Sequence, residues 1–459
     1  MLRAAVAAGH PATARAGAAV LEAGGSAADA AVAACLASGV AETVMTGLLG
    51  GGHAIYFDAA SGAARNLDCF CAVPSGQGGE LLELEVPFGE ELVHYAVGAA
   101  SCAVPGVPAG LDALWREHGR LPWAELCEPA LRLAHEGVAM PPAHVACLQM
   151  LEPVMTMREG ARMYSPGGTL LRPGDRLEQP GLVRTLELIA EEGAASVYSG
   201  SIAATLLALV AERGGLVTRT DLESYEAVWS APAEIAYAGT RFLTRDGLNP
   251  VGPALAGLPP LRPLEPPERT VALFDALDAG EPHLPEHTTN LVAVDGEGNA
   301  CVITTSLGLG SGDWLPGLDL HLNSMLGETD LVVEPLQPGR RMQSMMAPSL
   351  ALDDGGLALA IGSAGGTRLR TALVGVASGL LDEGLEPRAA VERPRLHPAG
   401  DVVNAEPGID EDALAVLESR GLFVRRWPDR HHYFGGASLV ARSGAAADPR
   451  RSGEAAYAG

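Results

Sequence analysis

Apolar positions along the chain change period several times, and each change marks an element. From Ala12 to Val40 small apolar residues dominate around a Gly24-Gly25 interruption. That pattern predicts a helix, a glycine stop and a second helix beginning near Ser26. Alternation over Ala54–Phe57 and Ala64–Asp68, across an Asp58–Gly62 turn, predicts two short strands. Apolar residues return at three and four between Gly110 and Ala139, and again over Gly181–Glu192 and Ile202–Arg213, as helices require. Gly257–His287 is different: proline-rich, acidic and broken only briefly by apolar residues, it predicts an exposed, poorly ordered connector. A connector of that length points to a functional or disordered role rather than an ordinary loop. Directly after it, Thr289–Asp295, the turn Gly296-Glu297-Gly298-Asn299 and Ala300–Ser306 read as a hairpin with β-branched residues on both arms. Further strands are expected at Leu357–Ile361, running into Gly362-Ser363-Ala364-Gly365-Gly366, near Val424, and at Ala437–Ala441. No internal repeat is visible.

At 459 residues, 47% hydrophobic and 19% charged, the chain can bury a large core as one unit or two intimately packed halves. Its 56 acidic and 31 basic residues give a formal charge of −25, which argues against a nucleic-acid or anionic-membrane partner. Every one of the basic residues is arginine. Without lysine there is no side-chain Schiff base, no P-loop lysine and no kinase lysine, unless an amine comes from a chain terminus. Seven scattered cysteines (Cys35, Cys69, Cys71, Cys102, Cys127, Cys147, Cys301) form no CxxC pair, which fits reduced thiols in the cytoplasm better than disulfides or zinc. The amino-terminal residues lack a signal-peptide pattern, and Ala27–Val40 is too short to span a membrane and contains Asp29. The expectation is therefore a cytoplasmic protein with no membrane partner, no metal and no cofactor.

One juncture carries chemistry. If the bond between His287 and Thr288 were cut, Thr288 would own both a hydroxyl and a free α-amine, combining nucleophile and base in one residue. Such an amine titrates near ~8, so it can accept the hydroxyl proton at working pH. By itself a Thr-Thr pair at a strand start is commonplace.

The motifs around it add a resemblance. HTTNLVAVDGEGNACVITTS, from His287 to Ser306, resembles the processing site and first hairpin of the gamma-glutamyltranspeptidase family. GHPATARAGAAVLEAGGSAADAAVAA (Gly9–Ala34), GLLGGGH (Gly47–His53), AVPGVPAGLDAL (Ala103–Leu114) and LPWAELCEPALRLA (Leu121–Ala134) resemble further stretches of it. So do RRMQSMMAPSL ending at Leu350, GSAGGTR (Gly362–Arg368) and GAAADPR (Gly444–Arg450), all in the family's order. The resemblance implies an α+β fold, the four-layer αββα sandwich of the N-terminal-nucleophile hydrolases. It also implies self-cleavage into a 1–287 portion, ending in the 257–287 connector, and a 288–459 portion, intertwined as one fold. Thr288 is then the nucleophile of an amidase or acyltransferase acting on a small-molecule gamma-glutamyl or related amide, as in glutathione metabolism. Ser306 takes the place of the second hydroxyl, or Thr304 or Thr305 if the register slips. Gly365 and Gly366 offer the oxyanion N–H donors, and Ser344 and Glu328 fall at substrate-binding positions. After cleavage the protein would be a heterodimer of its own two fragments, alone or within a larger oligomer.

The chain also departs from that family pattern. The family's substrate-carboxylate arginine lies between its DFR-type strand and its later PG motif, and Asp68–Gly106 here contains no arginine. The asparagine after the second hydroxyl is replaced by Gly308 or Leu309, and the second serine of the pair by Met345. Either Arg340, Arg341 or Arg368 substitutes, or the acyl group is not a standard gamma-glutamyl. Two classes stay open: an N-terminal-threonine amidase, including an acylase for another acyl group, or a catalytically impaired relative used for binding or assembly. Plainer roles suit other features: Gly50-Gly51-Gly52 as a packed turn, Cys69 and Cys71 as small buried groups, and His431-His432 without metal-ligand spacing.

Overall fold

The structure is a computed structural model that describes residues 3–88, 91–248, 250–278, 288–328, 331–332 and 334–459. Thirteen strands build its two main sheets. In chain order they are β1 (Ala5–Ala8), β2 (Gly51–Asp58), β3 (Ala63–Cys69), β4 (Val228–Ser230), β5 (Ala233–Tyr237), β6 (Thr240–Thr244) and β7 (Thr289–Val294). After these come β8 (Ala300–Ser306), β9 (Ser349–Asp353), β10 (Gly356–Ala364), β11 (Gly436–Ala441), β12 (Gly444–Ala447) and β13 (Glu454–Tyr457). One sheet has the order β13-β1-β7-β8-β2-β3-β4 and the other β12-β11-β10-β9-β6-β5. Strands from before and after residue 288 pair directly: β1 lies between β7 and β13, and β6 pairs with β9.

Period-two alternation sorts the two faces of the central hairpin. Leu291, Ala293, Cys301 and Ile303 face a helical layer, whereas Val292, Val294, Ala300 and Val302 pack against Leu350, Ala360 and Val440 of the other sheet. The helical layer includes α1 (Pro11–Glu22) and α2 (Ala27–Ala41), and α2 is buried along its whole length. Alanine and glycine allow that: a Cβ on Gly17 would already lie 3.0 Å from the Ala30 carbonyl. His10 Nδ1 caps α1 by accepting the Ala12 N–H at 3.0 Å, and Ser26 with Asp29 forms a reciprocal capping box for α2. Caps of this kind are typically worth about 1 kcal/mol each. On the far side of the second sheet, the helix Arg368–Leu381 covers β10 and β11. The result is the expected αββα sandwich.

Two expectations change. The helical pattern from Gly110 to Ala139 is two helices, α3 (Val107–His118) and α4 (Trp123–Glu136), broken where Gly119 and Pro122 interrupt the backbone pattern. More substantially, the supposed disordered connector contains α5 (Pro266–Leu277). Its Pro266 start fixes a helical φ, and Leu273, Phe274 and Leu277 are buried, Phe274 against Leu396, Val403 and Leu414. Leu261 is buried as well, and residues 279–287 of the proposed connector, including His287, lie outside the described residues. The span Ala195–Arg213 is long and apolar enough to cross a membrane, but it is interrupted at Gly200, and Val197, Ile202, Leu206 and Val210 pack in the helix-side core.

Candidate active site

Thr288 stands immediately before β7, where the sheet's central row ends. β7 and β8 pair as Thr289–Thr305 and Asn290–Thr304, so one residue further Thr288 comes opposite Ser306. Thr288 and Ser306 share the face that looks toward the second sheet. Thr305 points to the helical layer and exchanges a hydrogen bond with Thr46 at 2.8 Å, and Thr304 lies one row deeper. Of the three hydroxyls considered, Ser306 therefore shares Thr288's row and face. Its Oγ accepts the Gly308 N–H at 2.9 Å. The Thr288 hydroxyl is 1% exposed as a residue and has no hydrogen-bond partner among the described residues.

The pocket around Thr288 is walled by Glu42, Met45, His144, Ala364, Gly436 and Arg451, among others. Ala364 ends β10, and Gly365-Gly366 follow it at φ +123° and +59°, left-handed conformations suited to glycine. A Cβ on Gly365 would sit 2.8 Å from Gly435 Cα. The carbonyls of Gly365 and Gly366 accept from the N–H groups of Arg368 and Leu369 at 3.1 and 3.0 Å, which starts α6 (Arg368–Leu381). N–H groups at such a start point back out of the helix, toward where an oxyanion is best stabilised.

On the helix side, Thr289 Oγ1 donates to Glu42 Oε2, and Thr13 Oγ1 donates to Glu42 Oε1 at 2.6 Å. Burial raises the Glu42 carboxyl to about 7, opposed by these two hydroxyls and by the Arg451 charge. Gly9 is needed here for close approach: a Cβ would lie 2.7 Å from Glu42 Oε2 and 2.9 Å from Thr289 Oγ1. Arg451 is buried with Nη1 3.2 Å from the Met45 sulfur. Burial lowers His10 to about 4 and His144 to about 3, so both rings are neutral. Arg451 hangs from a turn begun by Asp448, which takes Arg395 Nη2 at 2.6 Å and Arg450 Nη1 at 3.2 Å. Burial pushes Asp448 up, but the two arginines hold it below the usual carboxylate range.

Glu328 and Ser344 are not among the residues that line the Thr288 pocket. Glu328 is buried, receives Ser324 Oγ at 3.5 Å and presses so close to Gly308 that a side chain there would collide with its Oε1. Gly308, one of the two residues at the family's asparagine position, thus leaves room for Glu328. Ser344 uses its Oγ to accept the Met346 N–H at 3.2 Å, and its carbonyl accepts Arg245 Nη1 at 3.1 Å. Met345 packs with Phe70, Met325, Met342 and Met346 in one apolar cluster. Of the three candidate substitute arginines, Arg341 donates to the Glu226 carbonyl, covers the Tyr225 ring at 4.1 Å and approaches Asp68 at 3.6 Å. Arg368 is buried with Nε on the Tyr433 carbonyl at 3.1 Å, and Arg340 is exposed.

Sequence reasoning passed over Glu42, Arg451, His53 and Phe70. A lone carboxylate closing an alanine-rich helix was a usable signal for Glu42. His53 and Phe70 carried none, because only strand pairing stacks their rings, 5.5 Å apart and 15° from parallel. Among the described residues no cluster of histidine, cysteine and carboxylate side chains has metal-binding geometry.

The chain is similar to known proteins over most of its length. The family model described as gamma-glutamyltranspeptidase matches residues 13–256 and 267–458. The acylase ACY 1 proenzyme of Pseudomonas sp. (strain V22) is 28% identical over 91% of this chain and 87% of its own length. The glutathione hydrolase proenzyme of Bacillus subtilis (strain 168) is 25% identical over 91% of this chain and 84% of its own. The crystal structure of cephalosporin acylase from Bacillus halodurans superposes with a TM-score of 0.83 at 25% identity, covering 99% of this chain and 96% of that one.

Proposed function

The chain belongs to the gamma-glutamyltranspeptidase family, and from that premise we propose that Thr288 is its nucleophile, released as an amino terminus by self-cleavage after His287. The protein is an enzyme of amide bonds with the N-terminal-nucleophile hydrolase fold. The observation that carries the assignment is the buried Thr288 hydroxyl, without a partner among the described residues, on the row and face of Ser306.

Thr288 Oγ attacks the amide carbonyl while its own α-amine takes the hydroxyl proton. Ser306 steadies the nucleophile, and the N–H groups of Gly365 and Gly366 receive the oxyanion, each such donor typically worth about 3 kcal/mol. The proton passes to the leaving amine, and water or an acceptor amine then releases the acyl group. Glu328 and Ser344 border the acyl side. Because strands from both portions share both sheets, the cleaved fragments would remain one heterodimeric body. Seven buried, unpaired thiols support a reducing compartment, the cytoplasm.

Amino-terminal sequencing of the small fragment tests this directly. It is expected to begin at Thr288, and an active enzyme that remains one uncleaved chain would refute the assignment.

A further inference from the structure

We propose that the Arg451 guanidinium is a third donor to the oxyanion, beside the N–H groups of Gly365 and Gly366. The proposal rests on Thr288 being the nucleophile and adds a residue to its reaction. Arg451 lines the Thr288 pocket and is only 6% exposed. Among the described residues its guanidinium makes one hydrogen bond, Nη1 donating to the Met45 sulfur at 3.2 Å, and a thioether is a weak acceptor. Its Nε is buried without a partner.

Charge around Arg451 is unevenly matched. Arg395 and Arg450 are tied to Asp448 at 2.6 and 3.2 Å, and Arg450 also to Glu406 at 2.7 Å. Arg451 itself has no ion pair among the described residues. Glu42, on the same wall, has its two oxygens engaged by the Thr13 and Thr289 hydroxyls, and burial raises it to about 7. A buried guanidinium without a counter-charge is costly, so it calls for negative charge that develops beside it.

Position and room decide which charge that is. Arg451 passes between two glycines: a Cβ on Gly436 would collide with its Cγ, and a Cβ on Gly365 would lie 3.3 Å from its Nη2. Nη2 therefore reaches the first glycine of the oxyanion turn. The cavity that Thr288 and Arg451 share measures about 10 Å³, room for one water-sized oxygen. A distal carboxylate needs space for two oxygens and the chain that carries them, whereas the carbonyl oxygen of the reacting amide needs only one. The mounting is also firm. The Arg451 N–H donates to the Asp448 carbonyl at 3.1 Å, and the Asp448 side chain is held by two arginines and by the Ala437 N–H at 3.1 Å. A donor fixed in advance stabilises developing charge without reorganising.

As the Thr288 Oγ–carbon bond forms, the carbonyl π pair moves onto oxygen and the hydroxyl proton passes to the α-amine. Arg451 donates hydrogen bonds to that oxyanion and gives up no proton. When the pair returns, the C–N bond breaks and the proton leaves on the amine. Water adding to the ester recreates the same charge in the same place.

The test uses purified, self-cleaved protein with gamma-glutamyl, glutaryl and phenylacetyl 4-nitroanilides. In Arg451→Met, kcat is expected to fall about 10²-fold on every anilide the wild type turns over, with KM within about threefold, because the oxyanion is common to all acyl groups. In Arg451→Ala, millimolar guanidinium chloride should restore part of the loss, and urea, neutral and of similar shape, should not. Loss of packing alone predicts neither response. An unchanged kcat in folded, cleaved Arg451→Met overturns the proposal and leaves the Thr288 assignment standing. So does a loss confined to the KM of the gamma-glutamyl and glutaryl anilides, which would make Arg451 a clamp for an acyl carboxylate. If the variants do not fold, or the wild type is idle on all three anilides, a crystal structure of the wild type with benzylboronic acid decides. A boronate oxygen on Thr288 within hydrogen-bonding distance of Arg451 is expected, and one turned away from it, or no adduct, overturns the proposal. A folded chain that is never cut at Thr288 overturns both.

Discussion

Thr288 and Thr289 are neighbours of identical chemistry, yet the fold gives them opposite employment. Thr289 turns toward the helical layer, where its hydroxyl is bonded to Glu42 and walled by Gly9. Thr288 turns toward the second sheet, where its hydroxyl meets no acceptor or donor among the described residues. Glu42 bonds the Thr289 hydroxyl and leaves that of Thr288 without a bond, although both threonines line the pocket that Glu42, His144 and Arg451 wall. Strand alternation thus separates a hydroxyl held in a polar buttress from one left free to react.

The strongest way to break the comparison is to exchange the two roles. Thr288→Ala is expected to abolish both self-cleavage and turnover, a loss of at least about 10³-fold. Thr289→Val should instead leave a cleavable, active enzyme that is less stable by roughly 1–3 kcal/mol, since it strips a buried partner from Glu42. Thermal melts and gel analysis of the two variants side by side check this, and an inactive but stable Thr289→Val would reverse the assignment. Next in size is Gly366→Ala. At φ +59° a side chain strains the turn and displaces the N–H donors, and a fall in kcat of about 10²-fold with little change in KM is expected. Gly9→Ala drives a methyl toward Glu42 and Thr289, and should cost about 1–3 kcal/mol in denaturant unfolding without changing substrate preference.

The smallest effect lies in pH dependence. Glu42, raised to about 7, binds its proton more tightly folded than unfolded. Its contribution to stability is therefore complete below the ordinary carboxylate range and is lost as pH rises through about 7. His10 and His144 run the other way, because their folded values near 4 and 3 sit below the ordinary 6.5. Their contribution is present above 6.5 and is lost as pH falls through those lower values. Melting temperature against pH should show both arms. In Glu42→Gln the loss toward alkaline pH should flatten while the acid arm persists, and an unchanged alkaline arm would show that Glu42 does not set it.

Much of the site was visible in one dimension. The Thr289–Ser306 hairpin announces itself by β-branched alternation around a Gly-Glu-Gly-Asn turn, and the glycine pair by its place after a strand. The connector misled because composition is a local property. Pro266 starts a helix, whose Phe274 acquires meaning only against Leu396 and Leu414, well over a hundred residues away, and whose Leu273 and Leu277 pack in the core that holds Leu369 and Leu373. The short strands Ala233–Tyr237 and Ser349–Asp353 are nearly invisible alone, since cross-strand partners supply most of their stability.

The sequence by itself determined the motif order, the lack of lysine that directs attention to a backbone amine, and the absence of arginine from Asp68 to Gly106. Those are properties of residue identity, and no folding can alter them. Tertiary structure alone decided which hydroxyl shares the face of Thr288, and that Glu42 and Arg451 wall the same pocket. Each depends on sheet register, and register is set by long-range pairing and burial that no local window contains.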